Sequence, residues 1–328
     1  MSGGDAAVNP DAIEAGPGSG FRWRSQPRRL RFGVGEVGLA SIDLRSVILE
    51  GHFMDLVGGP VEPPLPFDGL PRGTDVAIAG SYPVAGPMPR LAVLPHAIRY
   101  VPSQYRRHYV DLSGTFEAYL EKFSSKSRST LRKKVRKFAE LSGGSIAWRQ
   151  FRPEDLEEYH RLAIEVSRKT YQARLHLSAA LPGLDDLREQ VARSGDARGF
   201  VLFHGARPAA YLFCPVREGD LLYQFVGYDP EYEPWSPGTV LLYLALQALF
   251  AEGGFRAFDF TEGEGAHKEF FGNRYIQCAD LYYFRKSARN YLTVGLHAGL
   301  QSASGRAKRL LDRLGLKGRI KKMIRAKA

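Results

Sequence analysis

Cysteine is scarce in this chain. Cys214 and Cys278 are the only two in 328 residues. Both lie in apolar, strand-like stretches with no metal-ligand spacing around them, which excludes a disulfide framework and a cysteine-based zinc site. They read as buried thiols in a reducing cytoplasm, and a single bridge between them stays open. Long apolar runs are missing too. The longest, residues 239–251, is interrupted by Gln247 and reads as a buried helix, not a membrane span. Residues 1–20 have neither a basic start nor an apolar core, so they do not read as a signal peptide. Their Gly, Pro, Ala and Asp content predicts a disordered tail over 1–27. A broadly basic body is also absent. The net charge is +11, but residues 306–328 hold ten Lys or Arg against one Asp, so the rest of the chain is nearly neutral. Nucleic acid is therefore not an expected partner of the folded body.

At 44% hydrophobic and 25% charged residues, the chain has the composition of a soluble globular protein with one large core or two modest ones. Residues 221–275 carry its clearest organisation. Leu221 to Tyr228 is a continuous apolar and aromatic run, which predicts one strand buried on both faces. Ser236-Pro237-Gly238-Thr239 predicts a helix start, with Ser236 as N-cap and Pro237 at the first helical position. The helix runs to about Ala251 and stops at Gly253-Gly254. Residues 255–260 predict a second strand, and Glu262, Glu264, His267, Lys268, Glu269 and Arg274 crowd the segment beyond it. A helix N-terminus with a glycine suits an anion, but ordinary capping explains the same residues.

Upstream, the sequence predicts strands near 30–34, 47–49, 76–79 and 97–101, and a long Pro/Gly loop over 57–73. Ser113 or Thr115 caps a helix to about Phe123. A second helix spans Ser124 to Leu141 and closes at Gly143-Gly144. Seven of its residues between Lys126 and Lys137 are basic, over an apolar stripe of Leu131, Val135 and Phe138. Arg128 and Arg132 are one turn apart and face the same way. They read either as a solvated face or as a site for anionic groups. Pro153 opens a further helix, residues 168–171 are candidates to line a substrate channel, and a helix over 184–192 precedes Gly195. From 199 the pattern becomes a three-strand meander.

Ser236-Pro237-Gly238-Thr239 with its helix, then Phe258-Asp259-Phe260, Gly263 or Gly265, and Lys268 before Phe270-Phe271, resemble the C-terminal part of the GNAT superfamily. The nearest likeness is to cellulose-biosynthesis-associated acetyltransferases, which are related to the Fem peptidyltransferases. The basic helix over 126–138 is similar to that group as well, and the resemblance covers about residues 109–286. It implies an α/β (α+β) fold with a GNAT-like mixed sheet flanked by helices and two unequal GNAT-like halves. The domain reading is a tail over 1–27, a degenerate first half over 28–115, an acyltransferase domain over 116–288 and a basic amphipathic tail over 289–328. Strands 221–228 and 255–260 would splay around an acyl carrier. Only one glycine stands ahead of the helix, where the better-known GNAT branch has several, so the amides of Gly238, Thr239 and Val240 are the expected donor-phosphate site.

For catalysis, the resemblance implies acyl transfer to an amine or hydroxyl. Asp259 in its apolar strand reads as a general base or as a structural cap of the next loop. His267 titrates near neutrality without help and reads either as the other candidate base or as an ordinary exposed loop histidine. Lys268 matches a family lysine that contacts substrate or steadies charge near the acyl group. Gln224 and Tyr228 are placed for substrate binding, with Tyr228 as a proton source for the leaving thiolate, and Arg128 and Arg132 join them. Acetyl-CoA is the expected donor, no metal is expected, and a saccharide or lipid-linked saccharide is the expected acceptor. Beside this stand a Fem-like transferase using aminoacyl-tRNA and a non-enzymatic GNAT-like binding protein. The cationic tail with Leu310, Leu311, Leu314, Ile320, Met323 and Ile324 reads as a disordered basic tail, as a contact for an anionic membrane surface, which would place a cytoplasmic protein at the inner face of the membrane, or as a non-specific nucleic-acid contact.

Overall fold

The computed structural model describes residues 12–14, 22–34, 37–51, 53–60, 62–63, 73–170 and 180–313. The expectations for Tyr171, for 314–328 and for most of 1–21 lie outside the described residues. Contacts divide the chain into two units, Met1–Arg106 with Ile276–Lys327, and Arg107–Tyr275. The division thus falls a few residues before the expected 115, and 276–288 group with the N-terminal segment.

The first unit opens with β1 (Ala12–Glu14), β2 (Arg22–Ser25), β3 (Arg28–Val34), β4 (Val37–Leu44) and β5 (Ser46–Glu50). A single turn, α1 (Phe53–Leu56), precedes β6 (Val76–Pro83), β7 (Leu91–Val93) and β8 (Ile98–Tyr100). The expectation of a disordered tail over 1–27 fails at β1 and β2. Trp23 in β2 is fully buried with Val47, Ala77 and Tyr82, and β2 pairs with β5. Burying one indole outweighs a local composition that favours disorder.

The second unit begins with β9 (Gln104–Asp111), α2 (Phe116–Glu121), α3 (Ser125–Leu141) and β10 (Ala147–Phe151). It continues through α4 (Leu156–Ser167), α5 (Leu184–Ser194), β11 (Asp196–His204), β12 (Arg207–Arg217), β13 (Asp220–Leu222) and β14 (Phe225–Tyr228). Then come α6 (Pro237–Glu252), β15 (Ala257–Asp259) and α7 (Ala266–Phe271). The strand order is β9-β15-β13-β12-β11-β10, with β14 also on β12. β13 and β15 run parallel and the other pairs antiparallel, which makes the mixed sheet expected from the sequence.

Alternation explains why these strands are apolar throughout. Phe200, Leu202, Leu212 and Cys214 face α2, α3 and α6, whereas Val201, Tyr211 and Phe213 face α4 and α5. The helix starts are local chemistry. Thr115 accepts from the Ala118 amide at 3.2 Å, and Ser124 accepts from the Ser127 amide at 3.2 Å. Gly195 closes α5 in the left-handed conformation. Both cysteines are free and buried.

The chain then returns to the first unit through β16 (Arg274–Phe284) and α8 (Ala288–Arg313). β16 pairs with β6 and β8, and α8 lays Val294 and His297 against that unit's core.

Candidate active site

The predicted strand over 221–228 is in fact two. β13 stays beside β15 for three residues, up to Leu222 opposite Asp259. The Tyr223 amide still donates to the Asp259 carbonyl at 2.8 Å, but the Gln224 amide turns away to the Phe213 carbonyl at 3.2 Å. From Phe225 onward β14 pairs with β12. On the other side β15 ends at Asp259, one residue short of the expected strand, and the Phe260 amide joins the His108 carbonyl at 3.1 Å. Two parallel neighbours therefore part, one following β12 and the other β9. An apolar run does not reveal such a bulge, because both halves are equally hydrophobic.

Ion pairs fix both ends of the short β15. At its start Arg256 reaches the fully buried Asp220, with Nε–Oδ1 at 2.9 Å and Nη2–Oδ2 at 2.7 Å. At its end Asp259, also fully buried, meets Arg107 of β9, with Nε at 3.0 and 3.1 Å from the two oxygens and Nη2 closer still. Asp259 Oδ1 also accepts from the Thr261 amide at 2.8 Å. Of the two readings of Asp259, general base or structural cap of the next loop, this geometry is that of the cap. Both oxygens are committed, and the residue holds the loop. Arg107 lies within 28–115, where the sequence reading named no site residue. Its sequence signal is an arginine at a core-facing position of a strand, which demands a buried anion.

The loop after β15 bends at Thr261, which has φ of 61° and is one of few non-glycine residues with positive φ among the described residues. It leads into α7, where His267 lies over the place where the strands part. Its ring is 5.9 Å from that of Tyr223 and 6.4 Å from that of Phe260, centre to centre. Among the described residues neither imidazole nitrogen has a hydrogen-bond partner. His267 is exposed on one side, yet its partial desolvation lowers its pKa below the ordinary 6.5, and the adjacent Lys268 charge lowers it further. The ring is therefore neutral at neutral pH. Gly265 makes room for it, since a Cβ there would stand 3.2 Å from His267 Cε1 and Nδ1.

Lys268 bonds to the Glu262 carbonyl and so ties the loop to α7. Burial lowers its pKa, Asp259 opposes that, and Arg107 adds to it. From the other side α2 holds α7, through Tyr119 Oη to the Phe271 carbonyl at 2.7 Å and Lys122 Nζ to the Phe270 carbonyl at 2.7 Å.

The other predicted residues disperse. Gln224 points to α5 and donates to Gln190 at 2.9 Å. Tyr228 stands at the far end of β14, five residues and about 15 Å from Tyr223, with its ring 3.6 Å from where a Cβ on Gly238 would be. Ser236 occupies the N-cap position of α6 but makes no side-chain cap, and its φ of 55° is again left-handed. The Ser236 carbonyl takes the Thr239 amide at 3.0 Å and the Val240 amide at 3.1 Å. Of the expected phosphate donors, Thr239 and Val240 are thus engaged within the helix's own first turn, and Gly238 is left.

Arg128 and Arg132 lie on α3. Arg128 donates to the Phe123 carbonyl at 3.0 Å at the end of α2. Both line a groove of about 540 Å³ with Ser125, Ser129, Lys133 and Arg136. Its lining of four cations and two hydroxyls suits an anionic group.

Residues 125–269 match the family model described as an acetyltransferase (GNAT) domain. The chain carries a GNAT fold. Among solved structures, it resembles the C-terminal domain (DUF2156) of a provisionally named lysylphosphatidylglycerol synthetase from Agrobacterium fabrum. The two share 14% identity at a TM-score of 0.51, with 85% of each chain covered. It also aligns with FemX, at 10% identity and a TM-score of 0.46, covering 80% of this chain and 88% of that one. A tandem GNAT protein from the clavulanic acid biosynthesis pathway aligns at 14% identity and a TM-score of 0.37, covering 80% and 84%. No curated protein matches the sequence. Among the described residues there is no group of acidic, His or Cys side chains able to hold a metal ion.

Proposed function

We propose that this GNAT protein is an acyltransferase that moves an acyl group, acetyl from acetyl-CoA, to an amine or hydroxyl of a saccharide or lipid-linked saccharide precursor. The observation that carries the reading is the neutral, unpartnered imidazole of His267 over the point where β13 and β15 part. The edge of β14 that pairs with no strand among the described residues runs from there toward Gly238, about 15 Å away. That length suits an extended donor arm, with its thioester at the Tyr223 end and its phosphates at the Gly238 amide and the start of α6.

In this reading His267 takes the proton from the attacking nitrogen or oxygen as the new C–N or C–O bond forms. The C–S bond then breaks, and the imidazolium returns the proton to the sulfur. The test is thiol release from acetyl-CoA by the full chain with amino sugars and their lipid-linked forms as acceptors. Turnover that His267→Ala abolishes supports the reading. Neither binding nor turnover at millimolar acetyl-CoA sinks it.

One observation favours a second donor. With Thr239 and Val240 engaged, little remains at α6 to hold a diphosphate, while the α3 groove offers four cations. An aminoacyl-tRNA donor would use such a surface. Transfer of a labelled amino acid from charged tRNA, without acetyl-CoA turnover, selects this reading.

A further inference from the structure

The outer face of α8 lacks what a solvent-facing helix usually has. Its inner face is fixed by Asn290, Thr293, Val294 and His297, all buried. His297 is 2.6 Å from Tyr100 Oη and 3.1 Å from the Arg31 carbonyl, so the helix cannot roll without breaking both contacts. Residues 290–305 contain no Asp, Glu, Lys or Arg. That is more than four turns, about 24 Å of helix, without a charge. The outward positions carry Tyr291, Leu292 and Leu296 at 43%, 64% and 55% exposure, followed by the exposed Gly299 and Ala303. Leu292 and Leu296 are one turn apart and adjacent on the surface. An ordinary surface helix puts charge on this face.

The sequence on either side says what covers it. Exposed Arg289 precedes the uncharged stretch, and 306–328 carry ten Lys or Arg with one Asp. A second copy whose α8 packed parallel on this face would set the cationic ends of the two helices side by side, where they repel. A nucleic acid would neutralise the cations and leave the leucines in water. An anionic bilayer meets both demands, with Leu292 and Leu296 in the headgroup–acyl boundary and the cations on the lipid phosphates. No helix among the described residues is long and apolar enough to cross a membrane, so the contact is with the surface. We infer that the outer face of α8, with the cations Arg306, Lys308, Arg309 and Arg313 in the sequence of its last turns, is a docking face for an anionic lipid surface. This assignment does not depend on the acyl-transfer reading.

Co-sedimentation of the full chain with vesicles tests it. Phosphatidylcholine vesicles containing phosphatidylglycerol should bind at least tenfold more tightly than phosphatidylcholine alone, because one apolar wedge needs the electrostatic partner. The double variant Leu292→Glu/Leu296→Glu should lose at least tenfold of that binding while its melting curve stays unchanged. A second readout avoids any question of folding. Leu296→Cys labelled with an environment-sensitive dye should shift its emission to the blue on adding the anionic vesicles, since Cys214 and Cys278 are buried and stay unlabelled. Undiminished vesicle binding by the double variant, or an unshifted dye, overturns the inference. So does a dimer in sedimentation velocity that the same variant breaks.

Discussion

Arg107 and Asp259 stand 152 residues apart in the chain and meet as a buried ion pair, with the arginine Nε 3.0 and 3.1 Å from the two carboxylate oxygens. The pair joins the end of β15 to β9 and, through the Thr261 amide, sets the loop that delivers His267. Removing one partner leaves the other charged and buried. Arg107→Ala should therefore destabilise the protein by about 3–5 kcal/mol, read from urea unfolding. Arg107→Met/Asp259→Leu, which removes both charges, should cost much less. Equal losses would mean that the pair is not what holds this end of the strand.

His267 gives a pH prediction. It acts as a base only when neutral, and its folded pKa lies below 6.5. The rate should fall on the acid side through that lowered value and be full above it. Lys268→Gln removes one of the two influences that lower the pKa, so the acid limb of kcat/KM should move up toward 6.5, while Lys268→Arg leaves it in place. His267→Ala should cut kcat by about 10²–10⁴-fold, the usual worth of a positioned acid–base group. An acid limb that Lys268→Gln does not move assigns the base elsewhere.

Gly265 is a steric test of the same site. Its φ of −169° is extended and open to any residue, so alanine adds no backbone strain. The new Cβ would press on the imidazole at 3.2 Å. Gly265→Ala should lower kcat by about tenfold, on the order of 1.4 kcal/mol in the barrier, with little change in melting temperature. A fall in stability matching the fall in rate would point to the loop as a whole and not to the ring.

Gly238→Asp separates helix stability from ligand binding. A carboxylate in the first turn of α6 complements the helix dipole, worth roughly 0.3–1 kcal/mol in stability. The same charge opposes a donor phosphate at the Gly238 amide, so calorimetric affinity for acetyl-CoA should fall by about tenfold. A variant that is more stable and binds acetyl-CoA as tightly as the parent would remove the donor phosphates from this end of the cleft.

What the sequence alone determined is what depends on neighbours in the chain. The starts of α2 and α3 follow from Thr115 and Ser124, the end of α5 from Gly195, and the two-faced burial of the central strands from their unbroken apolar runs. His267 was a visible candidate because a histidine needs no help to titrate near neutrality. Tertiary structure decided the rest, because it turned on partners far away in sequence. Asp259 became an anchor only when β9 brought Arg107 beside it. The run over 221–228 divided only because β12 and β15 compete for its edges, and hydrophobicity is blind to which neighbour wins. Trp23 joined a core that the composition around it would not support alone. Ser236 takes a left-handed conformation at the start of α6, and a backbone angle of that kind in a non-glycine residue is imposed by packing, not by its own preference.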